Sequence, residues 1–246
     1  MEQPRKDQQR NLGASMSPPI RIEAREVSIT ERLARARALV FDFDGTLVDS
    51  NEIKFQAFEA CFKRFPRHAE AIAVYCRNHH HTPRGEKFRY IYERILGLVY
   101  TPEADAECHA QFEAATTRQI IDAPEIPGAA RFVTEASRHR ATALLSSTPH
   151  EVLLRILAQR GWQRLFREVR GAPVEKAVWL RAFRERLGLE AQSVVYFGDT
   201  DEDARAAAQA SCAFIAVGPS AASFSPQAIT AFDSLVPYPE DPCAHR

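Results

Sequence analysis

The chain reads as an α/β protein: a parallel sheet with helices on both faces, interrupted by an inserted all-helical unit. Three observations predict this. Short apolar runs bounded by turn residues alternate with amphipathic helical patterns, the arrangement of a parallel sheet with covered faces. Two of those runs end in carboxylates, which fits a ligand site at the carboxyl ends of parallel strands. Nearly a hundred residues separate the first run from the second, too many for one crossover helix, and their apolar positions recur at helical spacing.

Residues 1–27 mix Gln, Arg, Pro and Ser without apolar periodicity and are expected to form a flexible extension. From Ser28 a short helix, ITERLARA, leads into the first strand, residues 38–42, which the turn Asp44-Gly45-Thr46 stops. The insertion is placed at 51–124, with helices marked by Phe55, Phe58 and Phe62, by Phe88, Ile91, Tyr92 and Ile95, and by Phe112. Residues just after Ser50 and the segment DAPEIPG at 122–128 suit hinges. The core resumes at 125–218 with strands at 141–146, 167–170, 193–197 and 213–217. Two helices lie between them. Thr148 is expected to cap the one at 149–160, with Pro149 in its first position and Gly161 ending it, and Gly188 ends the one at 174–187. The tail, 219–246, is rich in Pro, Ser and Ala and is expected to be peripheral.

With 45% apolar residues the chain has enough material for a large core, and 32 basic side chains balance 32 acidic ones. A neutral chain has no surplus of Lys and Arg for bulk phosphate neutralisation, so no nucleic-acid partner is expected. The longest clean apolar run, 212–217, falls far below the roughly 20 residues of a membrane helix, so no membrane partner is expected either. The polar amino terminus, MEQPRKDQQR, resembles neither a signal nor a transit peptide, and a cytoplasmic location is expected. Five scattered cysteines contain no C-x-x-C pair and do not read as a disulfide framework. Cys76 near the run His79-His80-His81, and Cys108 beside His109, lack the regular spacing of a structural zinc site; a helix end followed by a polar loop is the expectation there.

The chemistry concentrates at two strand ends. In Asp42-Phe43-Asp44 the two acids, two apart in an extended chain, point the same way. Gly198-Asp199-Thr200-Asp201-Glu202-Asp203 brings four more acids. Two unit charges about 4 Å apart repel by roughly 4 kcal/mol at an effective dielectric of 20, so converging carboxylates require a cation. Oxygen ligands with room for water suit Mg²⁺. Ser146, at a strand end, and Lys176, at a helix start, can hold a phosphoryl group. Only five of the 32 basic residues are Lys, which makes Lys176 easy to single out.

These residues resemble the four short motifs of the haloacid dehalogenase-like (HAD) hydrolase superfamily: DFDGTLVDS, LLSSTP, the Lys of APVEKA, and FGDTDED. The resemblance covers about 38–218 and points to the members with a helical cap, phosphoglycolate phosphatases and beta-phosphoglucomutases, on a Rossmann-like core. It implies that Asp42 is the nucleophile and Asp44 the general acid and base, with Ser146 and Lys176 on the phosphoryl oxygens. Mg²⁺ would be held by Asp42, the backbone carbonyl of Asp44, Asp199 and, directly or indirectly, Asp203. The acid at 44 sets the chain apart from dehalogenase-type and phosphonatase-type members. Ser147 and Ser211 depart from the family, which often has a small or amide residue at the first position and Gly at the second.

The insertion would be the cap. Between Arg77 and Arg94 it carries five Arg or Lys, three His and two acids. Arg84 and Lys87, three apart on a helical turn, are the candidates to meet a second anionic group on the substrate, with a solvated basic face as the alternative. The expected function is a Mg²⁺-dependent phosphatase acting on a small phosphorylated metabolite through an aspartyl phosphate. A phosphomutase shares every catalytic residue and stays open, as does a catalytically idle binding protein.

Overall fold

The computed structural model describes residues 27–79 and 82–235. The expected extension at 1–27 and the residues His80 and His81 thus lie outside the described residues, apart from Val27.

Among the described residues six parallel strands, numbered in chain order, form one sheet in the order β3-β2-β1-β4-β5-β6. Helix α1 (Ile29–Arg35), closed by a capping box between Ser28 and Glu31, feeds β1 (Ala38–Phe41). The remaining strands are β2 (Ala141–Pro149), β3 (Glu168–Ala172), β4 (Val194–Gly198), β5 (Ala213–Val217) and β6 (Ala228–Ile229). Both β1 and β4 are buried along their whole length, as strands covered on two faces must be. Between the strands run α6 (Ala129–His139), α7 (His150–Arg160), α8 (Lys176–Arg186) and α9 (Asp201–Gln209).

The two faces have separate cores. Phe41, Phe132, Phe197 and Phe232 pack together on one, and Phe41 and Phe197 stack 4.9 Å apart. Val40, Leu145, Leu180, Phe183 and Tyr196 pack on the other. Alternation along each strand divides its residues between these layers.

Helices α2 (Asn51–Cys61), α3 (Ala69–Asn78), α4 (Arg84–Tyr90) and α5 (Pro102–Asp122) lie between β1 and β2. A π-helical turn, Ile91–Ile95, continues α4. They have their own apolar cluster, in which Phe58, Phe62, Phe88, Ile91, Tyr92 and Phe112 surround buried Cys61, Cys76 and Cys108. Phe58 and Phe112 meet edge to face at 4.8 Å. Burial pushes the Cys76 thiol up to about 11 and Cys61 to about 12, so both behave as apolar core groups.

Three expectations need correction. Residues 219–235 are not peripheral: β6 pairs with β5, and Phe232 closes the aromatic core. A two-residue strand and a short turn carry too little periodicity to announce themselves, but they cover the edge of β5. Thr148 does not cap α7; it belongs to β2, and Pro149 occupies the capping position without a side-chain bond. Helix α8 starts at Lys176 rather than 174. Ser211, which stands where a Gly commonly ends such a helix, adopts φ of 57° and turns the chain from α9 into β5. No helix among the described residues is long and apolar enough to cross a membrane.

Candidate active site

Asp42 directly follows β1 and Asp199 directly follows β4, and the two strands are parallel neighbours with Phe41 level with Phe197. Both carboxylates therefore leave the sheet at one end. Asp203 joins them from the first turn of α9, where Thr200 caps the helix by accepting from the Asp203 backbone N–H at 3.2 Å. One oxygen each of Asp42, Asp199 and Asp203 lie within 4.8 Å of one another, the one such His/Cys/Asp/Glu group among the described residues. Gly198 lets α9 approach this closely, since a Cβ there would stand 2.5 Å from that of Asp203.

Lys176, the first residue of α8, sits between two of these acids. Its ammonium donates to Asp42 Oδ1 at 3.0 Å and to Asp203 Oδ1 at 2.7 Å. Asp203 also accepts from the Tyr196 hydroxyl at 2.7 Å and from Thr200 Oγ1 at 2.6 Å. Burial opposes its charge, but Lys176 and these donors hold its carboxyl below the usual range. Asp42 goes the other way: burial, outweighing Lys176, pushes it well up, and Asp203, Asp199 and Asp44 add to the rise. Burial and then Asp203 push Asp199 up to about 6. With all three acids ionised, the one ammonium, on Asp42 and Asp203, leaves a formal surplus of two negative charges. That surplus, the all-oxygen donors and their spacing fit one hard divalent cation.

Asp44 has a different environment. Its carboxylate pairs with Lys54 at 2.5 Å and accepts from Ser50 Oγ at 2.7 Å and Thr148 Oγ1 at 2.8 Å. Burial works against ionisation, yet Lys54 and the two hydroxyls hold its carboxyl below the usual value. Its side chain is not part of the three-acid cluster. Gly45, at φ of +74°, turns the chain beside it; any Cβ there would collide with Asp199 and Asn51.

All eight residues singled out from the sequence, Asp42, Asp44, Arg84, Lys87, Ser146, Lys176, Asp199 and Asp203, line one cavity of about 180 Å³. Ser146 is buried within the carboxyl-terminal half of β2, and its Oγ accepts from the Thr148 N–H at 3.1 Å, which leaves the hydroxyl proton for a ligand. Ser147 is exposed and also lines the cavity. Helix α4 supplies the far wall. Lys87 is only 4% exposed, with its ammonium 4.9 Å from the Phe58 ring, and the Arg84 guanidinium lies 4.8 Å from that of Phe112. A solvated basic face is therefore not what these two form. Burial brings Lys87 down to about 8. His79 packs on Tyr75 and does not line the cavity.

Sequence reasoning missed four contributors: Asn51, Lys54, Thr148 and Tyr196. Asn51 Nδ2 donates to Asp199 Oδ2 at 2.8 Å, so α2 touches the acid cluster as well as Asp44. Thr148 could have been found, because the alternation that paired Asp42 with Asp44 also pairs Ser146 with Thr148. Nothing local marks Asn51 and Lys54, whose partners lie across the fold.

Among curated proteins no sequence relative matches this chain. Solved structures share its fold at low identity. CbbY from Rhodobacter sphaeroides, solved in complex with phosphate, is 19% identical with a TM-score of 0.65, covering 82% of this chain and 96% of that one. A predicted phosphoglycolate phosphatase of Haemophilus somnus is 17% identical at 0.63 over the same shares. A haloacid dehalogenase-like family hydrolase of Streptococcus pneumoniae is 17% identical at 0.58, over 79% of this chain and 93% of that chain. The model of the haloacid dehalogenase-like hydrolases matches residues 36–211, from the entry to β1 to the turn after α9, and the chain belongs to that family.

Proposed function

We propose that this protein is a Mg²⁺-dependent phosphatase that hydrolyses a small phosphate monoester through an aspartyl phosphate on Asp42. The observation that carries this reading is the three-acid cluster bridged by Lys176, set beside a separately held fourth acid, Asp44. Asp42, Asp199 and Asp203, with the backbone carbonyl of Asp44, would hold the metal. When bound, Mg²⁺ supplies charge neutralisation for the phosphoryl oxygens and lowers the pKa of Asp42 so that it attacks as a carboxylate.

The chain's own groups do the rest. Lys176 and the Ser146 hydroxyl bind the remaining phosphoryl oxygens and orient phosphorus toward Asp42. Asp44 carries the proton traffic: as an acid it protonates the leaving oxygen, and as a carboxylate it takes a proton from the attacking water. The Lys54 pair holds it in the second of these states. Since Lys54 and Asn51 both ride on α2, movement of that helix would change the grip on Asp44 and on Asp199 together. Residues 51–124 would serve as a cap that excludes water and reads the substrate. Arg84 and Lys87 would meet a second anionic group on the substrate across the cavity. A cytoplasmic location remains part of this reading.

The test is phosphate release from a panel of phosphorylated metabolites with Mg²⁺ or EDTA. Activity is expected with Mg²⁺ alone and absent in Asp42→Asn. Activity that survives both EDTA and Asp42→Asn, or isomerised sugar phosphate without released phosphate, would overturn the hydrolytic reading.

A further inference from the structure

Beyond its acids and cations, the active-site cavity takes much of its wall from three helices, and what they turn toward it is mostly carbon. Phe55 and Phe58 come from α2, Phe112 and Ile120 from α5, and Val152 and Ile156 from α7. Among the described residues the same helices bring three polar side chains to the lining, and each is bonded within the protein. Asn51 donates to Asp199 at 2.8 Å, Lys54 pairs with Asp44, and Thr116 Oγ1 donates to the Phe112 carbonyl at 2.9 Å. Of the polar groups not yet placed, Ser147 and Glu202 adjoin Ser146 and Asp203 at the acid end, and Thr82 leads into α4 beside Arg84.

Packing of the fold explains five of the six apolar residues. Phe58 and Phe112 belong to the cluster of the inserted helices, and Ile120, Val152 and Ile156 to the core on the Phe41 face of the sheet. Phe55 is half-buried and belongs to none of the three apolar clusters among the described residues. The Arg77 guanidinium lies 5.2 Å from its ring, but Glu52 fixes Arg77 independently through two bonds of 3.1 Å. A phenyl ring that lines a cavity and serves no core offers its area to a ligand. Hydroxyls do not suit such a wall, because they give up water without gaining partners. Methylenes do, each worth about fourfold in affinity when buried.

We propose that Phe55 is a specificity-determining residue: its ring packs against a hydroxyl-free carbon body of the substrate, which joins the phosphate to the anionic group that faces Arg84. The preferred substrate is then a phosphate monoester of an apolar hydroxy acid rather than of a polyol. This assignment rests on the reading of the site as one for phosphate esters.

Three esters that share a phosphate and a carboxylate test it: 4-(phosphonooxy)butanoate, its 2,3-dihydroxy analogue, and phosphoglycolate. Calorimetry on Asp42→Asn with Mg²⁺ should give the butanoate a dissociation constant at least about tenfold below that of either other ester, the lower end of what an apolar pocket achieves. In the parent, phosphate release should follow the same order in kcat/KM. Phe55→Ala, made in both chains, should bring the three esters within about threefold of one another, the loss falling on the KM of the butanoate. Phe55→Leu should restore most of the preference, and it carries the test if the alanine variant melts early. Equal or tighter binding of either other ester, a preference that survives Phe55→Ala, or a butanoate dissociation constant weaker than about 1 mM would overturn the assignment. The preference seen in Asp42→Asn without phosphate release by the parent would instead remove the phosphatase reading and leave the Phe55 contact standing.

Discussion

The two ends of the sheet use charge in opposite ways. Strand β1 shows both within a few residues: Arg37 enters it and Asp42 leaves it. At the carboxyl end the charges are acidic, deeply buried and tied down, with Asp203 alone accepting from Lys176, Tyr196 and Thr200. At the amino end they are basic and come from residues around an open rim; Arg138, for one, is an exposed side chain paired to an exposed Glu135. The difference teaches what burial adds to a cluster of like charges. Enclosed acids cannot be relieved by water, so they shift each other's protonation and demand a resident cation. An exposed charge such as that of Arg138 stays in contact with water, which screens it, and its pairing with Glu135 contributes little.

Breaking the carboxyl end should have the largest effects. Asp42→Asn removes the nucleophile and should reduce phosphate release by about 10⁴-fold or more, as loss of a covalent catalyst generally does. Lys176→Met leaves Asp42 and Asp203 buried without their shared cation; urea unfolding in EDTA should show a loss of about 3–5 kcal/mol, partly recovered by adding Asp203→Asn. A recovery of zero would mean that the pair is not coupled.

The pH dependence sharpens the contrast. Asp199 titrates near 6 in the fold against 3.8 outside it, and Asp42 is raised as well. The stability that Asp199 contributes is therefore full below about pH 4 and lost as pH rises through 6, and the raised Asp42 acts in the same direction. In EDTA the melting temperature should fall between pH 4.5 and 7, and Mg²⁺, which favours the ionised acids, should flatten that slope. A slope indifferent to Mg²⁺ would separate the acid cluster from metal binding.

A smaller effect is expected across the cavity. With Lys87 near 8, its charge falls about tenfold between pH 7 and 9, and the KM for a substrate with a second anionic group should rise by about that factor. Lys87→Arg should abolish the rise. The smallest effect belongs to the amino end: Arg138→Ala breaks only an exposed pair and should change stability by about 0–1 kcal/mol.

How much of this was legible depended on whether the signal was local. The strand of residues 38–41, a continuous apolar run stopped by two acids, announced both its burial and its chemistry. Phe58, Phe88 and Phe112 announced a helical cluster through their spacing, and it formed around them. Lys54 gave no such sign, because a lysine on a helix says nothing about which loop it will face, and its meeting with Asp44 depends on how α2 leaves the sheet. Tyr196 was hidden for a related reason: an aromatic residue in a buried strand looks like packing, and only the approach of α9 gives its hydroxyl a carboxylate. Residues 228–235 were missed because two residues of strand and one buried phenyl ring leave no period to read.

The position of β1 has a consequence for how the protein is made. Its two neighbours begin at Ala141 and Val194, so neither has been synthesised when β1 leaves the ribosome. At 5–20 residues per second, roughly 5–20 s pass before the first can pair with it. During that wait an apolar strand with two open edges, the one that carries Asp42, is the segment of the nascent chain most in need of shelter. The helices of residues 51–122, which depend on contacts near in sequence, can form meanwhile and hold the ends of the gap together.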